Sequence, residues 1–208
     1  MHVDGAFGLR ARASAEAAHL AAGVEEADSW TTDGHKWLNT PYDGAMAVCR
    51  NPEALAQAMN SDAVYATAGA GPLGRHAQTN LTLEFSRRAR GVPVWAALRT
   101  LGRDGVAAMV DRHRGLARRL AGGRRAAGYD VVDRVVLNQV LVRAGSDEAT
   151  LGARAAALAD DAPAERIVWF GATVWRGRPA FRLSVSSWRT TDADVDALLA
   201  RLAAVGAR

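Results

Sequence analysis

The sequence predicts an α/β protein: short strands interleaved with helices, followed by a smaller unit that mixes both. Three observations predict it. Short apolar runs at 44–50 and 137–143 stop at Asn-Pro or Ala-Gly, as strands do. Segments 94–101 and 106–121 carry apolar residues at helical spacing. Residues Arg176-Gly177-Arg178-Pro179 separate two alternating runs, 168–175 and 180–186, in the manner of a hairpin.

Taken in order, the chain opens on Met1-His2-Val3-Asp4, a strand-like piece that runs straight into the small residues Gly5 and Ala6. Residues 11–23 read as a helix ended by Gly23, and 28–32 as a short strand. The strand at 44–50 is closed by Asn51-Pro52, and Pro52 starts a helix to about residue 59. From 61 to 82 the chain is rich in Gly, Ala, Thr and Asn without a sustained period, which predicts a long binding loop or lid. Gly102 interrupts the helical spacing that follows, so the domain boundary is placed there: 1–102 forms the first domain and 103–208 the second. Within the second, 129–132 and 137–143 read as strands and 148–159 as a helix. After the hairpin, Thr191 precedes a last helix to residue 204 whose first turn carries Asp192 and Asp194.

Composition narrows the function. The chain has 208 residues, 49% of them hydrophobic, with a net charge of +4, which suits a globular protein with a core. Its arginines cluster as Arg87-Arg88-Ala89-Arg90, Arg118-Arg119 and Arg124-Arg125 among helical apolar positions, so they read as solvated helix faces and not as a nucleic-acid surface. No apolar run reaches membrane-spanning length, the start lacks the pattern of a secretory signal, and the expected location is cytoplasmic. Cys49 has no second cysteine to pair with and reads as a buried structural thiol, while Trp37, Trp95, Trp169 and Trp175 read as core residues.

Among so many arginines, Lys36 is the single lysine. Arginine stays protonated, whereas a lysine amine can lose its proton and attack a carbonyl, so a lone lysine suggests chemistry that guanidinium cannot perform. It follows His35, behind a polar turn and ahead of the apolar pair Trp37-Leu38.

The stretches HVDGAFG (2–8), ADSWTTDGHKWLNTPYDGA (27–45), SRRARGVPVWAALRTLG (86–102) and FRLSVSSWRTTDADVD (181–196) closely resemble the group II pyridoxal-phosphate decarboxylases, the family of aromatic amino-acid and glutamate decarboxylases. The resemblance implies an aspartate-aminotransferase-like fold, pyridoxal phosphate fold type I, with part of the large cofactor domain and the whole small C-terminal domain. It implies a homodimer acting on a small amino-acid substrate, with no metal. It also implies decarboxylation of an L-amino acid through Schiff-base and quinonoid intermediates.

By the same resemblance Lys36 is the amine that holds the cofactor aldehyde, and Asp4 is the carboxylate beside the pyridine nitrogen. A carboxylate there favours the protonated ring, which makes the ring an electron sink. Ala6, with Gly5, would let the backbone pass close to the ring, while Asp33 and His35 would lie toward the phosphate. Tyr65 would be the loop tyrosine that protonates the α-carbon, and Arg182 a substrate-side arginine of the small domain. Relatives are longer, and this sequence starts where their second half begins. The expected consequence is half a site, with the Asp4 strand at a sheet edge and a need for a partner. Two other readings stay open: a catalytically silent fragment that associates with a full-length relative, and another enzyme of the same cofactor fold, such as an aminotransferase.

Overall fold

A computed structural model of the chain describes residues 1–59, 81–84, 86–126, 129–132, 134–143 and 171–206. It divides into two compact units, one of Met1–Arg10 with Leu20–Thr100, the other of Ala11–His19 with Leu101–Arg208. The lid expected at 61–82 lies almost wholly outside the described residues, as does the helix expected at 148–159.

The first unit holds a three-stranded sheet in the order β1-β2-β3. Strand β1 (His2–Asp4) pairs in parallel with β2 (Ser29–Asp33), which pairs antiparallel with β3 (Ala45–Cys49). Asn51 ends β3 and its side-chain oxygen accepts the Ala54 backbone N–H at 2.9 Å, starting helix α1 (Pro52–Met59) as the sequence predicts. Cys49 is only half-buried, at the end of β3, with its Sγ donating to the Asn51 carbonyl at 3.3 Å, so the expectation of a buried thiol is corrected.

The helix expected at 11–23 does not form. In its place are 3₁₀ segments Gly8–Ala13, Ala18–Ala21 and Val24–Glu26. The reason lies in which residues are buried: Ala11, Ser14 and Ala17 recur every third position, the period of a 3₁₀ turn, and Ser14 Oγ accepts the Ala17 N–H at 3.2 Å. Alanine-rich composition fits an α-helix equally well, and tertiary burial overrides that propensity here.

The segment Gly91–Ala126, α2, is helical with an interruption at Gly102, whose φ of 63° and ψ of −174° only glycine adopts readily. Beyond it the second unit forms an antiparallel sheet in the order β4-β5-β7-β6, from Asp130–Val131, Gln139–Arg143, Arg178–Ser184 and Gly171–Trp175. The hairpin between β6 and β7 turns through Arg176 and Gly177, both at positive φ, with Trp175 paired to Arg178. That is the two-residue type I′ turn, whose twist suits a hairpin. The last helix, α3 (Asp192–Gly206), starts with a capping box: the Thr191 N–H donates to Asp194 Oδ2 at 2.8 Å, and the Asp194 N–H returns to Thr191 Oγ1.

One face of this sheet is the core. Val140, Val142, Phe181, Leu183 and Val185 meet Leu116, Ala117, Leu120 and Ala121 of α2 and Val195, Leu198 and Leu202 of α3. Alternation puts Arg182, between Phe181 and Leu183, on the exposed face. Two expectations fail at tryptophan. Trp95 is 65% exposed because the neighbouring Val94 takes the inward position of the helix, and Trp175 is 37% exposed at the hairpin end. Trp37 is fully buried as expected, and Trp169 lies outside the described residues.

The reading of Arg124 as part of a solvated face also fails. Its guanidinium is fully buried over the rings of Tyr129 (4.4 Å) and Phe181 (5.1 Å), on the helix face that also buries His113, Ala117 and Leu120. Among the described residues no helix is long and apolar enough to cross a membrane.

Candidate active site

The parallel register sets Asp4 opposite Thr31, so the ends of β1 and β2 lie together. The chain leaving β1 stays there: the Ala6 N–H donates to Asp4 Oδ1 at 3.1 Å, and the Ala6 carbonyl accepts the Asp33 N–H at 3.1 Å. Gly5 has a reason of its own to be small. A Cβ at this position would come within 2.8 Å of the Thr31 carbonyl and of Leu9 Cβ, so the absent side chain makes room for the protein's own backbone. Among the described residues Asp4 Oδ2 carries no hydrogen bond, which leaves an exposed carboxylate with one oxygen committed and one open.

Beyond β2 the chain turns through Gly34, His35 and Lys36. The Gly34 N–H donates to the Gly44 carbonyl at 2.8 Å, and a Cβ on Gly34 would meet Thr40 Oγ1 at 2.5 Å and Val94 Cγ2 at 3.0 Å, so glycine is required. Trp37 is buried with its Nε1 donating to the Phe7 carbonyl at 2.9 Å. This bond pins the far side of the lysine turn to the segment that follows Asp4. Asn39, in the left-handed region at φ 52°, closes the turn by donating from Nδ2 to the Lys36 carbonyl at 3.0 Å.

Within this frame the side chains of Asp33, His35 and Lys36 meet. Lys36 Nζ lies 3.0 Å from Asp33 Oδ2, and His35 Nε2 lies 3.3 Å from the same oxygen. The other ring nitrogen, Nδ1, is 3.3 Å from the Gly44 carbonyl, and the imidazole stacks on Tyr42 with centroids 4.1 Å apart. Side-chain exposure is 15% for His35, 18% for Asp33 and 37% for Lys36, so the amine is the accessible member. Asp43, beside Tyr42, pairs with Arg90 at 2.5 Å; that contact holds its carboxyl below the usual range and fastens the 41–44 loop to the start of α2.

The sequence pattern of the pyridoxal-dependent decarboxylase conserved domain matches residues 1–141. The chain belongs to this family. Among curated decarboxylases it is 32% identical to the aromatic-L-amino-acid decarboxylase of Drosophila melanogaster over 116 residues, 54% of this chain and 22% of the fly enzyme. It is 30% identical to the Aliivibrio fischeri aspartate 1-decarboxylase over 111 residues, 53% of this chain and 19% of that protein. Solved structures agree in fold. Mouse CSAD in its apo form superposes with a TM-score of 0.81 at 23% identity, over 99% of this chain and 45% of that one. Oryza sativa TDC with PLP and tryptamine gives 0.78 at 23%, over 99% and 44%. The chain thus has the decarboxylases' fold type I architecture and spans under half the length of these solved relatives.

Against the family's cofactor, pyridoxal phosphate, the first unit fits on two counts: an accessible amine at Lys36 and an open carboxylate oxygen at Asp4. The structure brings Asp4, Ala6, Asp33, His35 and Lys36 into one hydrogen-bonded neighbourhood at the ends of β1 and β2. Tyr65 lies outside the described residues. Arg182 belongs to the second unit, on β7 opposite Leu141, and forms no ion pair among the described residues. Sequence reasoning missed Tyr42, which covers His35. The signal was available in Pro41-Tyr42-Asp43-Gly44, a turn sequence just after the lysine with an aromatic at its centre.

Proposed function

We propose that this chain supplies the lysine-bearing part of a pyridoxal-phosphate-dependent carboxy-lyase that removes the α-carboxyl group of an L-amino acid. The observation that carries the reading is the placement of the only lysine on a rigid turn beside the strand that presents Asp4. Pyridoxal phosphate, when bound, supplies an aldehyde for an amine and a ring that accepts the electron pair left by departing carbon dioxide.

The chain's own residues do the rest. Lys36, the accessible amine, would hold the cofactor through its aldehyde. Asp4, fixed through Oδ1 by the Ala6 N–H, would hold the ring nitrogen with its open Oδ2 and favour the protonated ring. His35 is locked in place between Tyr42, Gly44 and Asp33. Tyr65 as the donor of a proton to the α-carbon, and Arg182 as a substrate-side cation, stand on the resemblance. Homodimer assembly and a cytoplasmic location stand on the same footing. Substrates of the relatives include aromatic amino acids and aspartate by name, which supports an amino acid and leaves the side chain open.

The test is reductive trapping. The purified chain is mixed with pyridoxal phosphate, reduced with borohydride and digested, with Lys36→Ala in parallel. Cofactor mass on the Lys36 peptide, absent in the variant, is the expected result. No attachment in folded protein would overturn a site built by this chain alone. Carbon dioxide release from a panel of aromatic, acidic and diamino acids then names the substrate.

A further inference from the structure

The Asp33 carboxylate touches both residues of the His35-Lys36 pair. A single oxygen, Oδ2, faces Lys36 Nζ at 3.0 Å and His35 Nε2 at 3.3 Å. Its own place is fixed from both sides of the sheet: it is the last residue of β2, paired to Ala45 of β3, and its N–H is held by the Ala6 carbonyl at 3.1 Å. His35 cannot swing away, since its ring is stacked on Tyr42 and its second nitrogen faces the Gly44 carbonyl. The carboxylate is therefore rigid and the lysine side chain, with four rotatable bonds, is the moving partner.

We propose that Asp33 is a positioning residue for Lys36: it docks the ε-ammonium at a defined point when no aldehyde holds it, and keeps His35 in place when the amine leaves. This deepens the proposed function and rests on Lys36 being the amine in use. It also moves Asp33 away from the phosphate-side role that the resemblance implies. A carboxylate repels a phosphate unless donors turn it outward, and here its oxygen faces the chain's own amine and imidazole.

The lone lysine makes the test unambiguous. Protein labelled with ¹⁵N-lysine has one side-chain ammonium, so one signal reports Lys36. In the cofactor-free chain at mildly acidic pH, that ammonium should exchange with water at least ten-fold more slowly than in Asp33→Asn, while Asp43→Asn leaves it unchanged. Equal exchange in wild type and a folded Asp33→Asn would overturn the proposal. Should Asp33→Asn not fold, the wild type answers alone, through the scalar coupling between Lys36 ¹⁵Nζ and Asp33 ¹³Cγ across the hydrogen bond. Its absence, with exchange at the rate of unstructured lysine, sinks the idea. Because no cofactor is added, failure to bind pyridoxal phosphate counts against the proposed function and leaves this result standing.

Discussion

The Trp37 indole donates to the Phe7 carbonyl at 2.9 Å while the two rings lie 5.5 Å apart, so the residue after the lysine and the residue after the Asp4 turn are fastened twice. Trp37→Phe removes the donor, leaves the Phe7 carbonyl without it and shrinks a fully buried side chain. A loss of about 1–3 kcal/mol in unfolding free energy is expected, measured by urea denaturation. If trapping of cofactor on Lys36 survives undiminished in the folded variant, this fastening does not shape the site.

Gly34 is tested by a pair of substitutions. Gly34→Ala drives a Cβ to within 2.5 Å of Thr40 Oγ1 and should cost about 1–3 kcal/mol by overpacking. Among the described residues Thr40 Oγ1 is buried without a hydrogen-bond partner, so removing it sacrifices no bond there. Thr40→Ala in the Gly34→Ala background should therefore recover part of the loss, though Val94 Cγ2 at 3.0 Å keeps some strain. Strict additivity in the double-mutant cycle would refute the clash.

Arg124 is a buried cation with no carboxylate partner among the described residues, its guanidinium set against Tyr129 and Phe181. Burial pushes its pKa down to about 10, against the opposing influence of Tyr129. Replacing such a charge by an apolar chain of similar length is commonly neutral or stabilising, so Arg124→Met should keep or raise stability by about 1–3 kcal/mol. A marked loss would show that stacking on Tyr129 and Phe181 outweighs the cost of desolvation.

His113 is fully buried, with Nε2 donating to the Ser187 carbonyl at 3.0 Å. Burial, with Arg112 nearby, lowers its pKa to about 4 from 6.5. Between those values the unfolded chain binds more protons than the folded one, so stability falls as pH drops from about 6.5 toward 4. The full penalty is on the order of 3 kcal/mol. His113→Gln can keep a donor but does not titrate, and its acid transition should be shallower. Parallel pH profiles for the two proteins would count against this origin.

Much of this was legible in the residues. Strand β3 and the hairpin turn at Arg176-Gly177 follow from local rules, since Asn51-Pro52 and a left-handed turn leave few alternatives. Gly102 was readable as a breaker for the same reason. The 3₁₀ chain after Gly8 was not, because alanine-rich sequence is neutral between two helical periods and only the burial of Ala11, Ser14 and Ala17 chooses. In the site, Lys36 stood out by chemistry and Asp4 by resemblance. The docking of Nζ on Asp33 and the stacking of Tyr42 on His35 depend on how the turn closes, which spacing does not encode.

The break at Gly102 also has an electrical meaning. A continuous helix would carry one macrodipole with its charge at the far ends, whereas the interruption makes two, each with its own poles. Arg99 then sits at the negative pole of the first and Asp104 at the positive pole of the second. Both side chains find a field of the right sign in mid-segment, where an unbroken helix would offer them none.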